Sequence, residues 1–190
     1  MLRQQETLFP ESAEDWVRTE PRLRPPRSAA PLVSWSEPAL LSIAVALGAR
    51  SVASWSTAEN ALIAGLPTAP DVLAREIRRA IRDGADPLGN IFCRLRPPAE
   101  RRKLGAVYTP APIVDAMLAW AKESVSPSRV VDPGVGTGRF LVEAGRQFSR
   151  AQLVGVEVDP LAAILARANL AAAGLAKRSS IHLCDYRGLG

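Results

Sequence analysis

One stretch constrains the fold more than any other: Arg129-Val130-Val131-Asp132-Pro133-Gly134-Val135-Gly136-Thr137-Gly138-Arg139-Phe140. A short apolar strand ends in a carboxylate, passes three alternate glycines and enters a helix. Glycine takes positive φ without a Cβ penalty and lets a ligand approach bare backbone. In an open α/β sheet this first strand-to-helix turn faces the ligand crevice. The alternation then repeats. The pattern predicts a helix from Arg139 to about Phe148 and a strand from Gln152 to Val158. A helix opened by Asp159-Pro160 should end near Gly174, and a third strand runs from Ser180 to Asp185. Strand, helix, strand, helix, strand is the grammar of a parallel, doubly wound half-sheet.

The chemistry of the turn narrows its ligand. Glu157 stands at the carboxyl end of the second strand, 19 residues after Gly138, where a carboxylate can accept two hydrogen bonds from a ribose diol. A dinucleotide fingerprint needs a third glycine in G-x-G-x-x-G. Counting from Gly134 or Gly136, that place holds Arg139 or Leu141. No Gly-Lys-Ser/Thr follows the glycines, so a P-loop is excluded. A nucleoside cofactor without a pyrophosphate is favoured, with S-adenosylmethionine the leading candidate.

The rest of the chain sets limits. Of 190 residues 47% are hydrophobic, which excludes wholesale disorder. The longest apolar stretch, Ala39 to Ala49, is far short of the ~18–20 residues of a membrane span. The first residues lack a hydrophobic signal core, so a cytoplasmic protein is expected. Cys93, Cys184 and a single histidine cannot build a disulfide framework or a zinc cluster. Residues 1–31, broken by Pro21, Pro25, Pro26 and Pro31, read as a flexible leader. Residues 32–105 read as a helical subdomain. Its signals are a Ser36 cap, a Ser56/Glu59 capping box, an Asp71 cap before Leu73, Ile77 and Ile81, and Asp86-Pro87 opening a short helix. Residues 106–190 carry the half-sheet, entered by a helix that Thr109 caps and on which Ile113, Met117 and Trp120 share a face.

The net charge is +5, and residues 71–105 hold nine basic against five acidic side chains. Arg75, Arg78, Arg79 and Arg82, with Arg101, Arg102 and Lys103, fit either a solvated face or a phosphate-facing surface. Charge alone leaves both open.

Taken together, the motifs resemble the adenine-N6 DNA methyltransferases of bacterial restriction–modification systems, specifically their N-terminal, cofactor-binding part. Asp86-Pro87-Leu88-Gly89 and Arg102-Lys103-Leu104-Gly105-Ala106-Val107-Tyr108-Thr109-Pro110 are similar to the segment leading into the first cofactor motif of that family. Asp132-Pro133-x-x-Gly136-x-Gly138-x-Phe140 resembles its glycine signature, Val156-Glu157-Val158-Asp159-Pro160 its ribose motif, and Cys184-Asp185-Tyr186 its adenine contact. The resemblance implies a Rossmann-like α/β sheet, of which three strands are present, and S-adenosylmethionine as cofactor. It also implies roles. Tyr108 and Thr109 would line the methionine carboxylate pocket, while Asp132 and the turn through Gly134, Gly136 and Gly138 would hold the methionine amine. Glu157 would clamp the ribose and Asp185 would accept from the adenine amine. Phe140 is expected to pack the helix onto the sheet.

The acceptor motif of the family, Asn/Asp/Ser-Pro-Pro-aromatic, is not found: Pro-Pro occurs only at Pro25-Pro26 and Pro97-Pro98, each after an arginine. The expected function is therefore the cofactor-binding portion of a site-specific adenine-N6 DNA methyltransferase, catalytically incomplete alone. Its partners would be double-stranded DNA and a complementing chain that carries the catalytic and target-recognition groups. Two alternatives stand beside it: a non-catalytic DNA- or protein-binding module, and part of an RNA or protein methyltransferase.

Overall fold

The computed structural model describes residues 35–97 and 109–188. The leader, Tyr108 and the Arg101-Arg102-Lys103 run lie outside the described residues. Among the described residues four α-helices come first: α1 (Glu37–Ala46), α2 (Thr57–Ile63), α3 (Asp71–Arg82) and α4 (Pro87–Leu95). After them come α5 (Ala111–Ser124), β1 (Arg129–Asp132), α6 (Arg139–Gln147), β2 (Gln152–Glu157), α7 (Pro160–Ala172) and β3 (Ser179–Leu183). The strands form an open parallel sheet in the order β1-β2-β3, with Asp132 opposite Gly155 and Glu157 opposite Leu183. This is the expected α/β half-sheet preceded by helices. Among the described residues, no helix is long and apolar enough to cross a membrane.

Local chemistry accounts for most boundaries. Ser36 accepts from the Ala39 N–H, Asp86 from Gly89 and Asp159 from Leu161, each capping the helix that follows. Ser56 and Glu59 make both bonds of a capping box. Two cap readings need correction. Asp71 is the first residue of α3 and Pro70 its cap, and Pro110 rather than Thr109 precedes α5; neither cap makes a side-chain bond. On α5 the packed face is Val114 and Leu118, with Ala121 alongside, against Ala144, Phe148 and Ala151. The face bearing Met117 and Trp120 points outward; Trp120 is 72% exposed.

Helix α7 organises the core. Every residue from Leu161 to Leu170 is buried. Leu161, Ile164, Leu165, Ala168 and Ala172 meet α1 to α4 through Leu40, Ile43, Ile63, Ile81 and Phe92. The opposite face, Ala163, Ala166 and Leu170, meets the sheet through Leu153 and Ile181. A helix apolar all round must be enclosed, and here helices cover one side and strands the other.

Enclosure traps a charge. The Arg167 guanidinium is 0% exposed, as is its partner Glu59, whose Oε1 accepts from Arg167 Nε at 2.6 Å. Its other N–H groups donate to the carbonyls of Val52, Ala53, Ser54 and Ile181 at 2.6–3.0 Å, and the group lies over the Trp55 ring. Ser54 takes φ +71° there, and Ala53 pairs in parallel with the outer edge of β3 at Ser180. The capping-box carboxylate thus also neutralises α7.

Other arginines satisfy carbonyls at helix C-termini, where cations are favoured. Arg78 donates to Ala46 O at the end of α1 and Arg82 to Ala172 O at the end of α7. Arg146 reaches Ile81 O near the end of α3, and Arg178 binds the carbonyls of Gly145, Phe148 and Ala151 around the end of α6.

Replacing Arg167 with Met keeps most of its volume but leaves Glu59 buried and the four carbonyls without that donor. Removing one partner of a buried ion pair costs about 3–5 kcal/mol. A fall of that size in unfolding free energy, read from the urea midpoint, is the expected outcome; a change below about 1 kcal/mol would contradict this account.

Candidate functional site

A parallel sheet brings the carboxyl ends of its strands to one edge, and each strand here delivers an acid to it. Asp132 closes β1, Glu157 closes β2, and Asp185 stands two residues beyond β3.

The glycines of the turn divide the work. Gly136 (φ +52°) and Gly138 (φ +90°) take the left-handed backbone that the turn requires. A Cβ on Gly138 would also lie 3.0 Å from the Ala166 Cα, so this glycine lets the turn close onto α7. Gly134 needs no positive φ and has nothing within 4 Å of its Cβ position, leaving its backbone open.

Glu157 ties the turn to β2. Its Oε2 accepts from the Gly136 N–H at 2.8 Å, and its Oε1 from the N–H groups of Val158 and Asp159 at 2.8 and 2.9 Å. An ionised carboxylate offers about four acceptor sites, so capacity remains for a ligand hydroxyl. Asp132 Oδ1 accepts from the Gly134 N–H at 3.2 Å. Burial pushes the Asp132 carboxyl above the usual carboxylate range; the Gly134 bond opposes this and the Glu157 charge adds to it.

Beside the turn lies a cleft of about 320 Å³ lined by Thr109, Met117, Asp132, Gly134, Thr137 and Arg139, among others. It gathers Thr109, Asp132 and Gly134 of the sequence-derived set. Gly136, Gly138 and Glu157 do not line it: Gly136 and Glu157 are joined by their hydrogen bond, and Gly138 lies against Ala166 of α7. Phe140 is half-buried, lining the cleft while packing on the α5–α6 cluster. Asp185 stands apart, exposed and paired with Arg187 at 2.6 Å; hydrogen bonds from Arg187 hold its carboxyl at about 2.

The candidate nucleic-acid residues separate as well. Arg75 and Arg79 project from α3 into solvent, Arg79 lying 3.7 Å from Asp83. Arg78 and Arg82 hold helix carbonyls. Sequence reasoning passed over Arg139, whose Nε donates to Asp86 Oδ2 at 3.1 Å and whose side chain lines the cleft. The available signal was its place in the first turn of a helix, where a cation is disfavoured unless an acid answers it.

Residues 89–185 match the protein family described as N-6 DNA Methylase. The chain belongs to that family. It is 41% identical over 162 residues to the Type II methyltransferase M.XamI of Xanthomonas campestris pv. amaranthicola, a match covering 80% of this chain and 29% of that protein. A shorter likeness, 40% over 63 residues, links it to the tRNA1(Val) (adenine(37)-N6)-methyltransferase of Porphyromonas gingivalis, covering 32% of this chain and 25% of that one. The Type II methyltransferase M.CvrRI of Paramecium bursaria Chlorella virus XZ-6E is 32% identical over 68 residues, 36% of this chain and 18% of the relative. The chain therefore spans under a third of the length of each of these relatives. The methylase-family segment takes in α4 from Gly89, the glycine turn and all three strands. It links this region to S-adenosylmethionine-dependent, adenine-N6-type DNA methyltransferases.

The raised Asp132 carboxyl carries a stability consequence. Between its unfolded and folded pKa values the native state binds more protons than the unfolded one, so stability falls as pH rises through that window. Asp132→Asn keeps the acceptor for Gly134 and removes the charge beside Glu157. It should unfold at higher urea than wild type at pH 7, with the gain vanishing near pH 3. An equal gain at both pH values would refute the electrostatic cause.

Proposed function

We propose that this chain holds S-adenosylmethionine for methyl transfer to an adenine N6 in double-stranded DNA. The observation that supports it most is the Gly136 N–H to Glu157 hydrogen bond, which joins the glycine turn to the acidic strand tip that would receive a ribose. The donor set fits such a cofactor. Gly134 leaves open backbone that a ligand can lie against, and Asp132 presents a half-buried carboxylate to an ammonium group. Thr109, just ahead of α5, lines the same cleft as the N-terminal end of a 14-residue helix, which suits a carboxylate. Asp185, two residues past β3, would accept from the adenine amine, and Tyr108 would stand beside Thr109.

When bound, the cofactor supplies an electrophilic methyl group on a sulfonium. The residues of this chain orient it: Glu157 fixes the sugar, Asp132 anchors the amine, and the turn keeps side chains out of the way. Among the described residues, none is assigned to positioning the acceptor amine. Arg75 and Arg79, exposed on α3, are the described residues proposed to face DNA phosphates.

An RNA adenine is the second reading, favoured by the likeness to the tRNA methyltransferase. The two differ in which nucleic acid the cofactor-loaded chain retains at low salt, duplex DNA or a tRNA.

Isothermal titration calorimetry tests the cofactor reading directly. Wild type should bind S-adenosylmethionine, and Glu157→Ala should weaken binding at least about tenfold, the usual scale for losing charge-assisted hydrogen bonds. A wild type that gives no heat and no thermal shift with the cofactor would overturn the proposal.

A further inference from the structure

The glycine turn rests on a polar cluster assembled from parts far apart in the chain. Asp86, the cap of α4, is its centre. Its Oδ1 accepts from the Gly89 N–H at 2.9 Å and from Asn169 Nδ2 of α7 at 3.3 Å, and its Oδ2 from Arg139 Nε at 3.1 Å. Asn169 Nδ2 also donates to Thr137 O, inside the turn, at 2.8 Å. Arg139 Nη2 donates to Asn90 Oδ1 at 3.3 Å. The first turn of α4 therefore reaches the C-terminal end of the glycine turn by two routes, through Asn169 at Thr137 and through Arg139 just after Gly138.

The fit is close enough to demand a glycine. A Cβ on Gly89 would overlap the Asp86 carboxylate and lie 2.8 Å from Thr137 Oγ1. Gly89 has ordinary helical backbone, so proximity and not φ excludes a side chain there. Thr137 Oγ1 and Asn169 Oδ1 are also the buried side-chain atoms found without a hydrogen-bond partner among the described residues. Native folds leave few such atoms, and both fall in this cluster under the turn.

We infer that Asp86 is a positioning residue for the cofactor: its carboxylate, through Asn169 and Arg139, sets the conformation of the Thr137–Arg139 segment. Asp86 does not line the cleft and acts by holding the turn in the shape that Gly136 and Glu157 complete. The inference rests on the cofactor reading above, and one experiment separates the two. Amide hydrogen exchange on the ligand-free chain follows the 133–139 segment and β2 at once, while calorimetry follows S-adenosylmethionine.

Two variants are needed. Asp86→Asn keeps the shape and loses the charge that holds Arg139. Gly89→Ala improves local helix propensity yet displaces the carboxylate. Both should speed exchange at 133–139 by at least about tenfold with β2 protection unchanged, and weaken cofactor binding by about 10–100-fold, the scale on which losing an outer-shell partner weakens a metal site. Wild-type exchange at 133–139 in both variants would overturn the inference, as would an equal loss of protection in β2, which would make Asp86 a general packing contact. A wild type that ignores the cofactor would refute the proposed function instead, while the exchange result still decides the role of Asp86.

Discussion

Arg167 carries its charge in the middle of a helix that is enclosed on every side, and the surrounding architecture follows from satisfying it. An unpaired buried charge costs more than a small domain can spare. Glu59 and four backbone carbonyls must therefore be brought to one point. Three of those carbonyls are consecutive, at Val52, Ala53 and Ser54, which bends the segment between α1 and α2 and lays Ala53 along the outer edge of β3. The helical part is thereby fastened to the sheet by a directional contact as well as by apolar packing on α7.

That fastening reaches the ligand cleft. With α1 to α4 held on one face of α7, the start of α4 arrives under the glycine turn, where Asp86 meets Arg139 and Asn169. Above it, Glu157 binds the turn from the β2 side. The turn is gripped from below by a helix cap and from the side by a strand tip, while Gly134 stays open. Asp132 is held beside Glu157 in a partly desolvated place that raises its carboxyl. Like charges kept close at a strand edge cost stability and are a common mark of a binding site.

Features whose cause is local were legible in the chain. The strands at 129–132 and 152–157, the Ser36, Asp86 and Asp159 caps and the capping box depend on neighbours in sequence, and appear where pattern places them. Asp71 and Thr109 misled because a proline beside each supplies the entry geometry without a side-chain bond. Helical periodicity marked the Ile113, Met117 and Trp120 stripe of α5 but not what covers it: Trp120 faces solvent, Met117 lines the cleft, and the flanking Val114, Leu118 and Ala121 meet α6 instead. Of the basic residues, Arg78 and Arg82 read as surface charge, yet they hold carbonyls of helices that end 32 and 90 residues away.

The amino-acid sequence by itself determined the half-sheet, its order of elements and the acids at its strand ends, because a glycine turn between strand and helix admits few backbone paths. Only the tertiary structure decided which polar groups meet. The partnerships of Arg167 with Glu59 and of Arg139 with Asp86 span 108 and 53 residues, and no local propensity encodes such distances. They emerge when burial removes water as the alternative partner and each trapped charge must find an answer within the protein.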